Sequence, residues 1–229
     1  MTDTLPRSAA GSTQAPAVRS AVGSAPAPAL RSDARDNRDR ILEVARAAFA
    51  TEGLEVPLRE IARRAGVGPA TLYRRFPTKE SLVTAAFADQ MSLCLTIVER
   101  GLDDPDPWHG FRAVIEQLCE LHAKDRGFTA AFMAAYPRAI DFAAGRERAL
   151  LAFSTLARRA KDVGMLRREF VLDDLVLVLM AAGGIRSAGP ASAVVAARRF
   201  AAVTLEGLRV TPDATPLPPA ARLPMVPVA

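Results

Sequence analysis

Apolar residues recur at about every third or fourth position through most of the chain, which is the spacing of an amphipathic helix. Ile41, Leu42, Ala45 and Phe49 follow this spacing and Gly53 comes after them, so the pattern predicts a first helix over 36–52. Further helices are predicted over 57–64, 68–74, 78–100, 108–125, 127–135, 138–162, 173–187 and 190–208. No stretch has the alternation of a β-strand, and the predicted fold class is therefore all-α.

The second and third predicted helices have the spacing of a helix-turn-helix. Ala62 is small where the two helices would cross, Gly66 can bend the chain between them, and Leu72 can fill the core beneath them. Thr78 is a suitable cap for the long fourth helix. We therefore predict a three-helix helix-turn-helix DNA-binding domain over 34–80 and a second helical domain over 81–210, the latter for ligand binding and dimerisation.

Positive charge is concentrated in residues 57–79. Six basic side chains and one acidic side chain lie there, so this segment accounts for the whole chain's net charge of +5. The basic residues are Arg59, Arg63, Arg64, Arg74, Arg75 and Lys79. Such a cluster is typical of a phosphate-binding face, whereas a protein that coats DNA without sequence preference spreads its charge. Arg63 and Arg64 are about 100° apart on their helix and cannot both face DNA.

The two ends of the chain differ from its middle. Residues 1–33 are rich in Ala, Ser, Pro and Gly without apolar periodicity, which predicts a disordered tail. Residues 211–229 contain six prolines and are predicted to form an extended tail. We assign no function to either tail.

Few residues offer catalytic or metal-binding chemistry. The two histidines and two cysteines lack metal-ligand spacing, so we predict no metal and no cofactor. There is no Gly-x-Ser-x-Gly or phosphate-loop pattern, which argues against an enzyme. Cys94 and Cys119 lie in apolar stretches and are interpreted as reduced core thiols. Without a signal-peptide core or about 18 consecutive apolar residues, the predicted location is the cytoplasm and no membrane partner is expected.

The helix-turn-helix segment resembles the TetR family of bacterial transcription regulators. The resemblance rests on Ile61-Ala62, Ala65-Gly66-Val67, Thr71-Leu72-Tyr73 and the run from Phe76 to Leu82, and it is dense from about Arg38 to Phe87. Beyond that region the chain resembles the family only as a series of helices. Two positions depart from the family pattern: Val56 and Gly68 stand where the family has a Ser or Thr.

The helix over 68–74 would enter the major groove of double-stranded DNA, with small groups and donors at its start. Pro69, Ala70 and Thr71 are expected at thymine methyl groups, with a phosphate as the alternative for Thr71. The resemblance implies that Tyr73 and Lys79 contact the phosphate backbone. Independently of it, Arg74 or Arg75 could reach a guanine edge or the backbone. The predicted DNA-binding set is Arg38, Arg59, Gly68, Pro69, Ala70, Thr71, Tyr73, Arg74 and Lys79.

One short reading helix contacts too few bases for useful specificity, so a homodimer on a palindromic operator is expected. The resemblance implies that the last two helices pack against their copies in the partner. The predicted dimerisation residues are Leu175, Leu179, Ala182, Gly183, Val195, Phe200, Val203 and Thr204. The alternative interpretation is that these residues form the core of a single chain.

Most of the aromatic residues lie between the predicted fifth and eighth helices, where an apolar pocket for a small hydrophobic ligand is a reasonable expectation. The predicted ligand-binding residues are Trp108, Phe111, His122, Phe128, Phe132, Met133, Tyr136 and Phe153. Aromatic residues at helical spacing form a filled core more often than a cavity, and that alternative stays open here.

These observations predict a homodimeric, sequence-specific transcriptional repressor that a small hydrophobic ligand releases from its operator by shifting the fourth helix. A transcriptional activator and a ligandless regulator are the alternatives, followed by a non-specific architectural DNA-binding protein. The sequence does not distinguish repression from activation.

Overall fold

The computed structural model describes residues 28–134, 140–220 and 223. Over these residues the chain forms nine α-helices and no β-strand, although Leu166 and Arg209 form an isolated antiparallel bridge. The helices are α1 (Pro28–Glu52), α2 (Leu58–Arg64), α3 (Pro69–Arg75), α4 (Lys79–Asp103), α5 (Pro107–Lys124), α6 (Arg126–Met133), α7 (Ile140–Asp162), α8 (Leu172–Gly184) and α9 (Pro190–Leu208). The predicted all-α fold class is confirmed.

The helix-turn-helix is formed by α1, α2 and α3. Ala62 and Leu72 are completely buried between them, and Gly66 has a φ of 64° at the turn, which is a conformation that favours glycine. Gly53, with a φ of 81°, follows the end of α1. The predicted boundaries of these three helices differ from the observed ones: α1 begins at Pro28 rather than at about 36, Pro57 is the cap of α2, and Gly68 is the cap of α3, which ends at Arg75.

Helix α4 leads from the helix-turn-helix into the second helical domain. Its cap is the predicted Thr78, whose hydroxyl accepts a hydrogen bond from the Ser81 backbone N–H at 3.1 Å. Among the described helices, α4 alone is long and apolar enough to cross a membrane by length and composition, a test that the core helix of a globular bundle also passes. Its buried face packs against α1, α5 and α7, so α4 is a core helix here.

Helix α5 is the centre of the second domain. It contacts α4, α6, α7, α8 and α9, and ten of its residues are buried. Near its start it approaches the end of α4 so closely that Gly110 and Gly101 leave no room for a side chain between the helices. The predicted core cysteines, Cys94 and Cys119, are both free and buried, and burial raises the pKa of each thiol to about 12.

Arginine side chains hold the carboxyl ends of neighbouring helices. Arg126 donates to the carbonyl of Ile185 after α8, at 3.1 Å, and Arg146 donates to the carbonyls at the end of α6. Arg167 is buried and donates to the carbonyls of Gly207 at the end of α9 and of Thr215 beyond it. A cation at a helix carboxyl end satisfies exposed carbonyls and opposes the helix dipole.

The segment after α9 lies along the loop between α7 and α8. The Val210 N–H donates to the Met165 carbonyl at 3.0 Å, and the Leu223 N–H donates to the Asp173 carboxylate at 2.6 Å. The described residues from Thr211 to Ala220 form no helix and are largely exposed. Most of the predicted N-terminal tail and the residues 221–222 and 224–229 lie outside the described residues.

Candidate nucleic-acid interface

The amino end of α3 is the most exposed part of the helix-turn-helix. Gly68, Pro69 and Ala70 are exposed there, and Thr71 is half-buried. One turn later Arg74 is exposed and the Tyr73 side chain is 47% exposed, although tyrosine is a large and partly apolar residue. The predicted reading residues therefore share the solvent side of α3, while its other side is anchored by Leu72.

The other basic residues of the predicted set lie on α1, α2 and α4. Arg38 and Arg59 are exposed, and Arg38 lies 3.6 Å from the carboxylate of Asp39. Lys79 is half-buried at the start of α4, with its Nζ 3.9 Å from the carboxylate of Glu55. The structure thus places every residue of the predicted DNA-binding set among its described residues, and their contacts with DNA stay predictions.

Three of the six clustered basic residues pair with carboxylates of their own chain: Lys79 lies near Glu55, as described above, and Arg63 and Arg64 form hydrogen bonds. Arg63 donates two hydrogen bonds to Glu60, at 2.9 and 2.7 Å. Arg64 donates to Glu60 at 2.8 Å and, with its two terminal nitrogens, to both oxygens of Glu52. These arginines lower the pKa of Glu60 to about 2, so Glu60 stays charged at neutral pH. The positive face is therefore smaller than the count along the sequence implies.

A second candidate surface lies on α8 and α9, and the structure buries part of the set that was predicted for it. Leu175, Leu179, Ala182 and Gly183 are buried within the chain, where the α5 and α6 helices cover them, so they do not form an open surface. The exposed side of α8 carries instead Leu177, Met180, Ala181 and Gly184. Residues on both sides of α8 have the same spacing of three and four, so the sequence alone does not indicate which side is buried.

The predicted α9 residues fit an open surface better. Val195 is 68% exposed and Val203 is 58% exposed, although both are apolar. Phe200 and Thr204 are half-buried. The exposed sides of α8 and α9 thus carry the apolar residues Leu177, Met180, Val195 and Val203, and we call these two exposed sides the α8–α9 face.

The predicted ligand-binding residues form a tightly packed core. Phe111, Phe128, Phe132 and Phe153 are fully buried with neighbouring rings at 5.0–6.2 Å, and Trp108 stacks on Phe111 at 5.7 Å. Met133 packs against this core from its edge, and Tyr136 lies outside the described residues. Phe153 also lines a cavity of about 250 Å³ between α7 and the start of α8. Ligand binding by this set stays a prediction.

His122 is the polar member of this core. Its Nδ1 lies 2.9 Å from the Thr129 hydroxyl, while its Nε2 has no hydrogen-bond partner in the described part of the chain. Burial lowers the pKa of His122 to about 3. His109, in contrast, is exposed and bonded at 2.7 Å to Asp104, which raises the pKa of His109 above its usual range.

The two histidines of the chain should therefore give two distinct signals in a proton NMR titration. We expect the His109 resonance to titrate above about pH 6.5 and the His122 resonance to stay unchanged down to about pH 5. In the unfolded chain His122 binds a proton near pH 6.5, so its contribution to stability is complete above that pH and declines as the pH falls towards 3. Titration of both resonances near pH 6.5 would contradict the buried position of His122.

Comparison with known proteins connects this geometry to a family. Residues 41–86 match the family model of bacterial regulatory proteins of the tetR family. A helix-turn-helix-type transcriptional regulator of Staphylococcus aureus (strain USA300) is 38% identical over 72 residues, which cover 31% of this chain and 33% of that protein. The chain thus matches about a third of the length of its curated relatives.

Solved structures share the fold over a larger part of the chain. The ketosteroid transcriptional regulator KstR2 of Mycobacterium tuberculosis superposes with a TM-score of 0.60 at 19% identity, covering 76% of this chain and 95% of that one. SmeT in complex with triclosan superposes with a TM-score of 0.52 at 22% identity, covering 82% of this chain and 99% of that one. The helix-turn-helix of this chain therefore belongs to the TetR family of bacterial regulatory proteins, and its described helices share the fold of these solved structures.

Proposed function

We propose that this protein is a homodimeric transcriptional repressor that binds a palindromic operator and is released from it by a small hydrophobic ligand. The observation that carries the proposal is the exposed amino end of α3, where small groups, Tyr73 and Arg74 lie on one side of the helix. The major groove of DNA is wide enough to admit one such helix. Arg59 on α2 and Lys79 at the start of α4 add positive charge to the same helix-turn-helix segment.

Two-fold symmetry is supported by the α8–α9 face. Exposed Leu177, Met180, Val195 and Val203 are apolar groups that a second copy of the chain would remove from water. Small neighbours, Ala181 and Gly184, permit close approach of the partner's helix. A dimer through this face would present two copies of α3 to successive turns of DNA.

Release by a ligand would act through the contacts between the two domains. Helix α4 runs from Lys79 at the candidate DNA surface into the centre of the second domain. A second contact adds to it: Gly127 on α6 lets that helix lie against Phe49 and Ala50 of α1. A ligand that moves α4 or α6 would change the position of the helix-turn-helix, and a typical coupling free energy is about 1–3 kcal/mol. The complex of SmeT with triclosan supports the choice of a small hydrophobic molecule.

The proposal is tested first by recovery of bound fragments from sheared genomic DNA at two salt concentrations. Enrichment of one palindrome would support a dimeric regulator that recognises an operator. Uniform recovery that disappears at higher salt would instead indicate phosphate binding without an operator, as in an architectural protein. Expression of the neighbouring gene with and without the protein then separates repression from activation.

Tyr73→Ala and Lys79→Ala are each expected to weaken DNA binding for all sequences alike. A lost phosphate contact removes one released counterion, so for Lys79→Ala the slope of log K against log salt should become shallower by about 1. Tyr73→Phe removes only the hydroxyl group, so it separates the contribution of the hydroxyl to DNA affinity from that of the ring. The control is Arg168→Ala, which removes an exposed charge in the loop between α7 and α8.

Fluorescence anisotropy with the recovered fragment gives the affinities. Size-exclusion chromatography with light scattering checks that the assembly is unchanged. If Tyr73→Ala and Lys79→Ala both bound DNA as the parent protein does, the candidate nucleic-acid interface would be misplaced.

A further inference from the structure

Arg64 connects the ends of two helices of the helix-turn-helix. It is the last residue of α2, and its terminal nitrogens donate to both carboxylate oxygens of Glu52, the last residue of α1. Its Nε donates to Glu60, in the first turn of α2, at 2.8 Å. We call Arg64, Glu52 and Glu60 the Arg64 clasp.

The clasp uses the features that distinguish arginine from lysine. A guanidinium is planar and offers several N–H donors in a fixed fork, so it can bind one carboxylate with two nitrogens and a second carboxylate with the third. Hydrogen bonds from Arg64 lower the pKa of Glu52, and the pKa of Glu60 is about 2, so both acids are charged at neutral pH. The charge of Arg64 therefore faces two negative groups of its own chain.

The position of the clasp bears on the placement of α3. Four residues, 65–68, connect Arg64 at the end of α2 to Pro69 at the start of α3. Attaching the end of α2 to the end of α1 therefore determines the point from which α3 starts. Ala65 is buried and Gly66 has the left-handed conformation, so the connection itself has little freedom.

From this geometry we propose that Arg64 is a positioning residue: its clasp orients α3 for docking, and Arg64 itself contacts no phosphate. This inference rests on the proposed DNA-binding function. In this proposal Arg64 has a different role from Arg59 and Arg74. Those two side chains are exposed and form no ion pair with any residue in the described ranges, so they stay available to DNA.

The competing interpretation is that Arg64 leaves its carboxylates and binds a phosphate when DNA arrives. The two interpretations predict opposite effects of Glu52→Gln. If Glu52 competes with phosphate, its neutralisation should strengthen DNA binding and steepen the salt dependence. If Glu52 holds the clasp, its neutralisation should weaken DNA binding without changing the salt dependence.

The experiment measures binding of short DNA duplexes of random sequence by fluorescence anisotropy over a series of salt concentrations. The variants are Arg64→Ala, Arg64→Lys, Glu52→Gln and the double variant Glu52→Gln/Arg64→Ala, all held well below their unfolding temperatures. We expect each single variant to lose about two- to fivefold in affinity, the size typical of a part-exposed ion-pair network, with an unchanged salt slope. Arg64→Lys should not restore the affinity, because a lysine ammonium group cannot bind the carboxylates of Glu52 and Glu60 together.

The double variant should bind no more weakly than the weaker single variant, because both changes break the same contact. Arg59→Ala is the matched control for a phosphate contact and should make the salt slope shallower by about 1. The inference is overturned if Glu52→Gln tightens binding, if Arg64→Lys retains full affinity, or if Arg64→Ala changes the slope as Arg59→Ala does.

Urea unfolding of the same four variants without DNA tests the Arg64 clasp separately from the proposed DNA-binding function. If the parent protein bound neither the random duplexes nor any fragment recovered from genomic DNA, the proposed function would fail. The clasp would still predict non-additive losses of stability for Glu52→Gln and Arg64→Ala, and additive losses would show that the contact does not form.

Discussion

Replacing Gly110 with alanine is expected to lower the free energy of unfolding by about 1–3 kcal/mol or more, because the added methyl group meets the backbone of α4. The added Cβ would overlap the carbonyl oxygen of Gly101 and lie 3.0 Å from the Cβ of Asp104. A backbone carbonyl cannot rotate away as a side chain can, so α4 and α5 would have to separate. Urea unfolding followed by circular dichroism measures the loss.

Gly207→Ala is the matched control. Its added Cβ has no described atom within 4 Å, and it lies within α9, where alanine is favoured over glycine by up to about 1 kcal/mol. We expect this variant to be as stable as the parent protein or slightly more stable. Equal stability of Gly110→Ala and the parent would mean that α4 and α5 do not approach each other as closely as described.

Val195→Glu is expected to dissociate the proposed homodimer while leaving each chain folded. The side chain is 68% exposed in the single chain, so a carboxylate there is solvated when the chain is alone. In a two-fold dimer the same carboxylate would be buried without a partner, at a cost of about 2–5 kcal/mol. That cost corresponds to a dimer dissociation constant raised by about thirtyfold or more, measured by sedimentation equilibrium.

The control for this variant is Val163→Glu. Val163 is also a valine, is 53% exposed and follows α7, outside the α8–α9 face. It should leave both assembly and DNA binding unchanged, whereas Val195→Glu should weaken DNA binding because the two reading helices are no longer joined. An undiminished dimer in Val195→Glu would exclude the α8–α9 face as the interface.

The candidate DNA surface could be predicted because its geometry is local. Gly66, Leu72 and Thr78 lie within a short segment, and each acts on the turn or helix next to it, as their burial, φ angle or hydrogen bonds confirm. The partnership of Arg64 with Glu52 was missed for the opposite reason. The two residues are separated by 12 positions and meet only because α1 and α2 cross.

The α8–α9 face shows what periodicity leaves undecided. Helix α8 has apolar or small residues on both sides after its first turn, so Leu175 and Leu177 are equally plausible core residues by composition. Packing against α5 and α6 makes Leu175 a core residue and leaves Leu177 exposed. The aromatic residues of the second domain posed the same difficulty, since the rings that could line a cavity can equally well fill a core.

Helix positions, caps and the helix-turn-helix followed from the order of residues, because each depends on neighbours within a few turns of the chain. The tertiary fold decided three other features: which side of α8 is buried, how the phenylalanine side chains pack around His122, and which carboxylates pair with Arg64. In each of those cases the deciding contact joins residues on different helices. Such contacts are set by how the helices pack, and no periodicity within a single helix encodes them.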